Sequence, residues 1–251
     1  MNKTNFKQLS QMFSKMNELE KKYNLNLISD LDISSHNYYF NTPSKFKMEY
    51  FKFCLHLFEF DKPLKIINNK SYNELSGLTY GDKKPIEIKE LFRGARNISH
   101  HLNLIKDNNY HPGIGDYFYG LYTATSFETA KRYAENNDEN VLHLKTQNMT
   151  VADNLFFDII LSNLDKDLSC MNVPENKIEC FQEFVSTLSE QDKIKFFKLL
   201  YDNISIFAMY LGVDCIFDQN FPSFVLLNRG KIVISQKEAD RIAENSQFQP
   251  Q

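Results

Sequence analysis

Glycine is scarce in this chain, 8 of 251 residues, about 3% against the roughly 7% of ordinary proteins. Tryptophan is absent. No stretch reaches the ~18 apolar residues of a membrane-spanning helix, so no membrane contact is expected. The opening MNKTNFKQLSQMFSKMNELEKK has no uninterrupted apolar segment, so no secretory signal is expected there. Cysteine is confined to Cys54, Cys170, Cys180 and Cys215, without a CxxC pair or Cys/His zinc spacing. A disulfide framework is therefore not expected, and Cys54 and Cys215, set in apolar runs, read as buried thiols. These features fit a cytoplasmic chain, or one delivered into a target cell without a cleavable signal. Positive charge is not in excess either. Lys and Arg total 29 against 32 Asp and Glu, a net charge of −3, which argues against bulk electrostatic binding of nucleic acid. GIGDYFYG fits neither GxGxxG nor a P-loop, and no GK[ST], HExxH or GxSxG occurs. His111 and the pair His100–His101 read as loop residues, with no metal implied.

Apolar bulk is plentiful. Hydrophobic residues make up 42% of the chain, with 22 Phe and 13 Tyr, enough for a large core. Phe6, Leu9, Phe13, Met16, Leu19 and Tyr23 recur at helical spacing over residues 4–24, and residues 46–60 read as a buried helix, with a strand as the alternative. Residues 1–85 are expected to be a mainly helical N-terminal region ending near Pro85. IEIKELFRG then reads as a strand ending at Gly94, and a further strand is expected at Leu121–Ala124. Ser126 is a good N-cap for a helix over Phe127–Glu135, and VLHLK at 141–145 is a short strand. Residues 153–210 form a helical insertion, with amphipathic segments at Leu155–Leu164, Ile178–Leu188 and Asp192–Leu211. VDCIFD and FVLLNRGKIVIS close the fold as two strands, and residues 237–251 read as a polar, fraying tail. The order is α+β and lacks the regular alternation of a doubly wound sheet.

Three segments carry a resemblance: LFRGAR at 91–96, GDYFYGLYTATSFETAKRYA at 115–134, and LGVDCIFDQNFPSFVLLNRGKIVIS at 211–235. Their order and spacing resemble the ADP-ribosyltransferase family of bacterial toxins and phage proteins, whose fold is shared with poly-ADP-ribose polymerases. The resemblance covers roughly 86–160 and 205–236 and implies a split antiparallel β-sheet core over 86–236. It also implies NAD as substrate, a protein or nucleic-acid acceptor of ADP-ribose, and release of nicotinamide. A bacterial or phage toxin or effector, with a possible antitoxin or immunity partner, is the implied setting.

The implied site can be placed residue by residue. Arg93 matches the first-motif arginine that holds the ribose and phosphates of NAD, and Gly94 the small residue whose backbone pairs with the nicotinamide carboxamide. Gly120-Leu121-Tyr122-Thr123-Ala124 matches the second motif in its tyrosine form, so an arginine first motif is combined with a tyrosine second. Tyr122 would stack on nicotinamide and Tyr133 would close the other face, with Thr123 and Thr125 the nearest hydroxyls. Family members carry a catalytic glutamate on a late strand, and Ser223 stands at that position here. The nearest acids are Asp214 and Asp218, and Asp218, with Gln219 as a second polar candidate, is the residue available to support the cation. Two other readings stay open: a non-catalytic NAD- or ADP-ribose-binding protein that lost the glutamate, and an NAD glycohydrolase.

Overall fold

The computed structural model of the chain describes residues 3–27, 43–80, 86–106, 113–114, 119–153, 175–218 and 223–247. Leu155–Leu164, Gln219, His111 and Cys170 lie outside them. In chain order the elements are α1 (Lys3–Lys22), α2 (Ser44–Leu57), β1 (Lys65–Ile67), α3 (Asn69–Glu74), β2 (Leu78–Tyr80), β3 (Ile86–Ile88) and β4 (Leu91–Gly94). There follow α4 (Ser99–Lys106), β5 (Gly113–Ile114), β6 (Tyr119–Thr123), α5 (Phe127–Tyr133), β7 (Val141–Thr146) and β8 (Val151–Asp153). The last are α6 (Glu175–Ser186), α7 (Glu190–Asp202), α8 (Ile204–Leu211), β9 (Cys215–Asp218), β10 (Ser223–Leu226), β11 (Ile232–Ser235) and α9 (Gln236–Gln247). The chain is α+β. Among the described residues no helix is long and apolar enough to cross a membrane.

Two compact units share the chain. One draws its described residues from 1–58, 114–119 and 154–212, the other from 59–113, 120–153 and 213–251. The first is helical. On α1 the residues Leu9, Met12, Met16 and Leu19 are buried, the consequence of apolar side chains three and four apart on one face. Phe13 meets Phe184 and Phe196 edge-on, and Phe181 packs on Phe196, Phe207 and Tyr210. The segment 192–211, expected as one helix, is two. Asn203 breaks it with φ −144 and ψ 74, outside helical geometry. Gly212 ends α8 at φ +85, a left-handed turn that glycine adopts without a Cβ penalty, and its N–H donates to Met209 O.

The second unit holds the sheets. A four-stranded sheet runs β1-β11-β7-β4 and a five-stranded one β5-β6-β10-β9-β8, with a β2-β3 hairpin apart. Most pairs are antiparallel, but β1 lies parallel to β11 and β8 parallel to β9. Inner faces of both sheets feed one aliphatic core, with Leu91, Leu142, Leu144, Ile232 and Ile234 from one and Leu121, Phe224, Leu226 and Cys215 from the other. Burial of this apolar surface stabilises at roughly 25 cal/mol per Å².

The structure departs from several expectations. IEIKELFRG is two strands in different sheets, because β3 pairs with β2 while β4 pairs with β7. FVLLNRGKIVIS is likewise divided: Gly230 sits in a 3-10 turn, Arg229–Lys231, that carries the chain from β10 to β11. Residues 237–247, read as a fraying tail, form most of α9, which buries Ala239 and Ile242 in the aliphatic core. Polar residues dominate the helix by count, but the core needs only one narrow apolar stripe. His100 and His101 lie on α4 rather than in a loop, and His101 is fully buried.

Candidate functional site

Among the described residues, one isolated backbone bridge joins the two sheets. Phe92 and Ala124 exchange backbone hydrogen bonds of 2.9 and 2.8 Å, an isolated antiparallel bridge between β4 and the end of β6. Continuing that register would set Arg93 beside Thr123 and Gly94 beside Tyr122. No such ladder forms among the described residues, and the strands belong to different sheets. Four residues of the first and second motifs therefore flank the gap where β4 and β6 part.

Backbone alternation decides what Gly94 presents. Ladder groups of successive residues point to opposite sides of a strand. Those of Phe92 face β6, whereas the N–H of Ala95 faces the other way, donating to Asn140 O at 3.1 Å. The N–H and C=O of Gly94 consequently face the gap. A side chain at this position is impossible without rearrangement: a Cβ would lie 1.9 Å from Ala130 O and 2.9 Å from Ala130 C on α5. Close crossing of α5 over β4 thus demands the glycine. The helix starts where the sequence says, with Ser126 Oγ accepting from Thr129 N.

Side-chain alternation sorts the rest. Leu91 and Arg93 share one face of β4; Phe92 and Gly94 share the other, against α5, where Phe92 packs on Phe127 and His143. On β6, Leu121 and Thr123 point to the aliphatic core, and Tyr122 points away with its partner Val225. Asp218 pairs with Ser223 across β9 and β10, on the Tyr122 face. Tyr122, Ser223 and Asp218 are thereby gathered on one face, while Arg93 and Thr123 lie on the reverse, with Arg93 Nε buried. Thr123 is buried and its Oγ1 donates to Phe224 O at 2.8 Å. Thr125 is exposed, and Tyr133 stands 67% exposed on α5. Asp218 is buried. Ser223 Oγ is buried without a hydrogen-bond partner among the described residues.

Sequence reasoning passed over two buried polar residues, His101 and Asn140. His101 Nε2 lies 2.9 Å from Asn140 O. A carbonyl only accepts, so Nε2 carries the proton and Nδ1 is a bare acceptor. Burial, and then the positive charge of Arg93, push the His101 pKa down to about 3, so the ring is neutral near pH 7. Its Nδ1 and Asn140 Oδ1 are buried with no donor among the described residues. Asn140 Nδ2 donates to Arg96 O at 3.1 Å. On the α5 face, Glu90 accepts from Tyr72 Oη at 2.9 Å and approaches His143 Nδ1 at 3.4 Å. The His143 contact, with Tyr72, holds the Glu90 carboxyl below its ordinary range despite partial burial. The doublet His100–His101 was the one available signal for the buried imidazole; Asn140, in the polar run NNDEN, offered none.

Asp214, the other acid near the closing strands, is a structural anchor. It is buried and accepts from Thr150 N, Asn228 Nδ2 and Lys231 Nζ. Among the described residues no group of three His, Cys, Asp or Glu is placed to hold a metal ion. Comparison with protein-family models, with curated proteins and with solved structures finds no match for this chain.

Proposed function

We propose that the sheet-bearing unit binds NAD in the gap between β4 and β6 and transfers its ADP-ribose to a macromolecule, protein or nucleic acid, releasing nicotinamide. The observation that carries this reading is the parting of the two strands immediately beyond the Phe92–Ala124 bridge, with Gly94 N–H and C=O turned into the gap. Strand polar groups denied a ladder partner require another. A primary carboxamide supplies both a donor and an acceptor, and nicotinamide carries one. A split antiparallel sheet of the ADP-ribosyltransferase kind accommodates the two sheets joined at one bridge.

The residues take roles from this arrangement. The Arg93 guanidinium suits phosphate oxygens in a forked contact. Tyr122, beside Gly94 in the extended register, offers an aromatic face to the nicotinamide ring. As the bond from ribose C1′ to the nicotinamide nitrogen breaks, its electron pair leaves with nicotinamide and positive charge develops on the ribose. A fixed carboxylate stabilises that charge, and Asp218 is the carboxylate on the Tyr122 face. An acceptor nucleophile then bonds to C1′ and gives up its proton.

A second reading, NAD or ADP-ribose binding without transfer, is favoured by Ser223, which stands where the resemblance expects the glutamate and whose buried hydroxyl has no partner among the described residues. Incubation with labelled NAD and cell lysate separates the two. Transfer predicts released nicotinamide and labelled macromolecule, both lost in Arg93→Ala and reduced at least ~100-fold in Asp218→Asn. Binding of NAD with neither product supports the second reading, and nicotinamide release without label supports hydrolysis.

A further inference from the structure

We propose that Asn140, held by His101, is a positioning residue that aims the Gly94 carbonyl into the gap and thereby makes the site select a carboxamide over a carboxylate. This rests on the NAD reading above and names the device behind its ligand preference. In a planar trans peptide the N–H and C=O point in opposite directions. The peptide joining Gly94 to Ala95 has its N–H fixed on Asn140 O at 3.1 Å. Its C=O, which belongs to Gly94, is therefore directed away from Asn140 and towards β6.

Three further bonds hold the clamp still. Asn140 Nδ2 ties Arg96 O at 3.1 Å, so one residue grips the turn after β4 at two points. Asn140 N donates to Asn137 O at 3.2 Å. His101 Nε2–H donates to the same Asn140 carbonyl that receives Ala95 N–H. Nε2–H donates whether the ring is neutral or charged, so this bond persists through the physiological pH range.

The chemistry of selection follows from the aimed carbonyl. A nicotinamide NH2 donates to Gly94 C=O while its own oxygen accepts from Gly94 N–H. A nicotinic acid carboxylate has no hydrogen to donate and would set an anionic oxygen against that carbonyl. ADP-ribose carries neither group and is indifferent to the clamp.

The test compares dissociation constants of the full chain for three probes: NAD, its nicotinic acid counterpart and ADP-ribose. The wild-type protein is expected to prefer NAD over the acid dinucleotide by about tenfold or more, the value of one good hydrogen bond. His101→Phe keeps a ring in place but removes the donor; it should weaken NAD by roughly five- to tenfold, leave ADP-ribose unchanged and erase the preference. His101→Gln, which retains an N–H donor, should recover the preference. Asn140→Ala, which deletes the Arg96 bond and keeps the backbone carbonyl, is the second variant should the phenylalanine fail to fold, and it should lower the preference in the same way. Equal losses for NAD and ADP-ribose would mean a merely structural role and overturn the proposal. A preference unchanged in the variants, or absent from a wild-type protein that binds NAD, also overturns it. Wild-type protein binding none of the probes sinks the NAD reading and this clamp together.

Discussion

The two units bury different things. Among the described residues, the helical unit fills its core with rings: Phe46, Tyr50, Phe51, Phe181, Phe196, Phe207 and Tyr210 are almost wholly enclosed, and the buried polar residues there are Asn5, Asn203 and Ser205. The sheet unit has a mainly aliphatic core in which Phe224 is buried beside Phe217, yet it encloses His101, Thr123, Asn140, Lys145, Thr146, Asp214, Asp218, Arg229 and Glu238. Burying polar groups costs stability unless each is bonded. A unit that encloses so many is organised around fixed dipoles at strand ends, and one that encloses few is organised for packing. The candidate chemistry accordingly belongs to the sheet unit.

That contrast can be broken at either end. The largest effect is expected in the aromatic core. Phe181→Ala removes contacts to Phe196, Phe207 and Tyr210 and should cost about 3–5 kcal/mol of helical-unit stability in denaturant titration. If packing is the whole role of that unit, the folded variant should keep its dissociation constant for NAD.

Acid is expected to strike the sheet unit next. His101 has a pKa of about 3 in the folded protein and about 6.5 unfolded. Between these values the unfolded chain binds the extra proton, so stability falls as pH drops from about 6.5 towards 3. The loss at pH 4 should be on the order of 3 kcal/mol, and His101→Phe should flatten the pH dependence of melting. A melting curve equally steep in that variant would remove His101 from the account.

Gly94→Ala comes third, at about 2–3 kcal/mol, because a Cβ 1.9 Å from Ala130 O forces α5 off β4. Exchange of α5 amides would reveal it, and unchanged protection would contradict the close crossing. Ser126→Ala should cost about 1 kcal/mol, the usual worth of an N-cap, read from the same amides.

Local signals were readable where one residue sufficed to set the geometry. Ser126 announced a helix start, and it stands where expected. The apolar spacing of α1 was equally plain. Pairing was not legible. Nothing in IEIKELFRG says that Ile86–Ile88 joins a hairpin while Leu91–Gly94 joins a four-stranded sheet, since both read as extended apolar chain. The polar surface of α9 hid the stripe of Ala239 and Ile242 that docks it. For the candidate site, resemblance singled out Arg93, Gly94 and Tyr122, whereas Asn140 and His101 meet through a bond between residues 39 apart in the chain.

Glycine scarcity, the spacing of apolar residues and the capping serine are matters of local backbone preference, and they are written in neighbouring residues. They suffice for an α+β chain with a helical start and for the position of α5. Whether Gly94 serves a turn, a helix crossing or a ligand depends on what approaches it. Here α5 covers one side, β7 pairs along one edge, and the partnership with β6 ends one bridge earlier. Those neighbours arrive from distant segments through packing and strand register, energies that no single stretch of sequence contains.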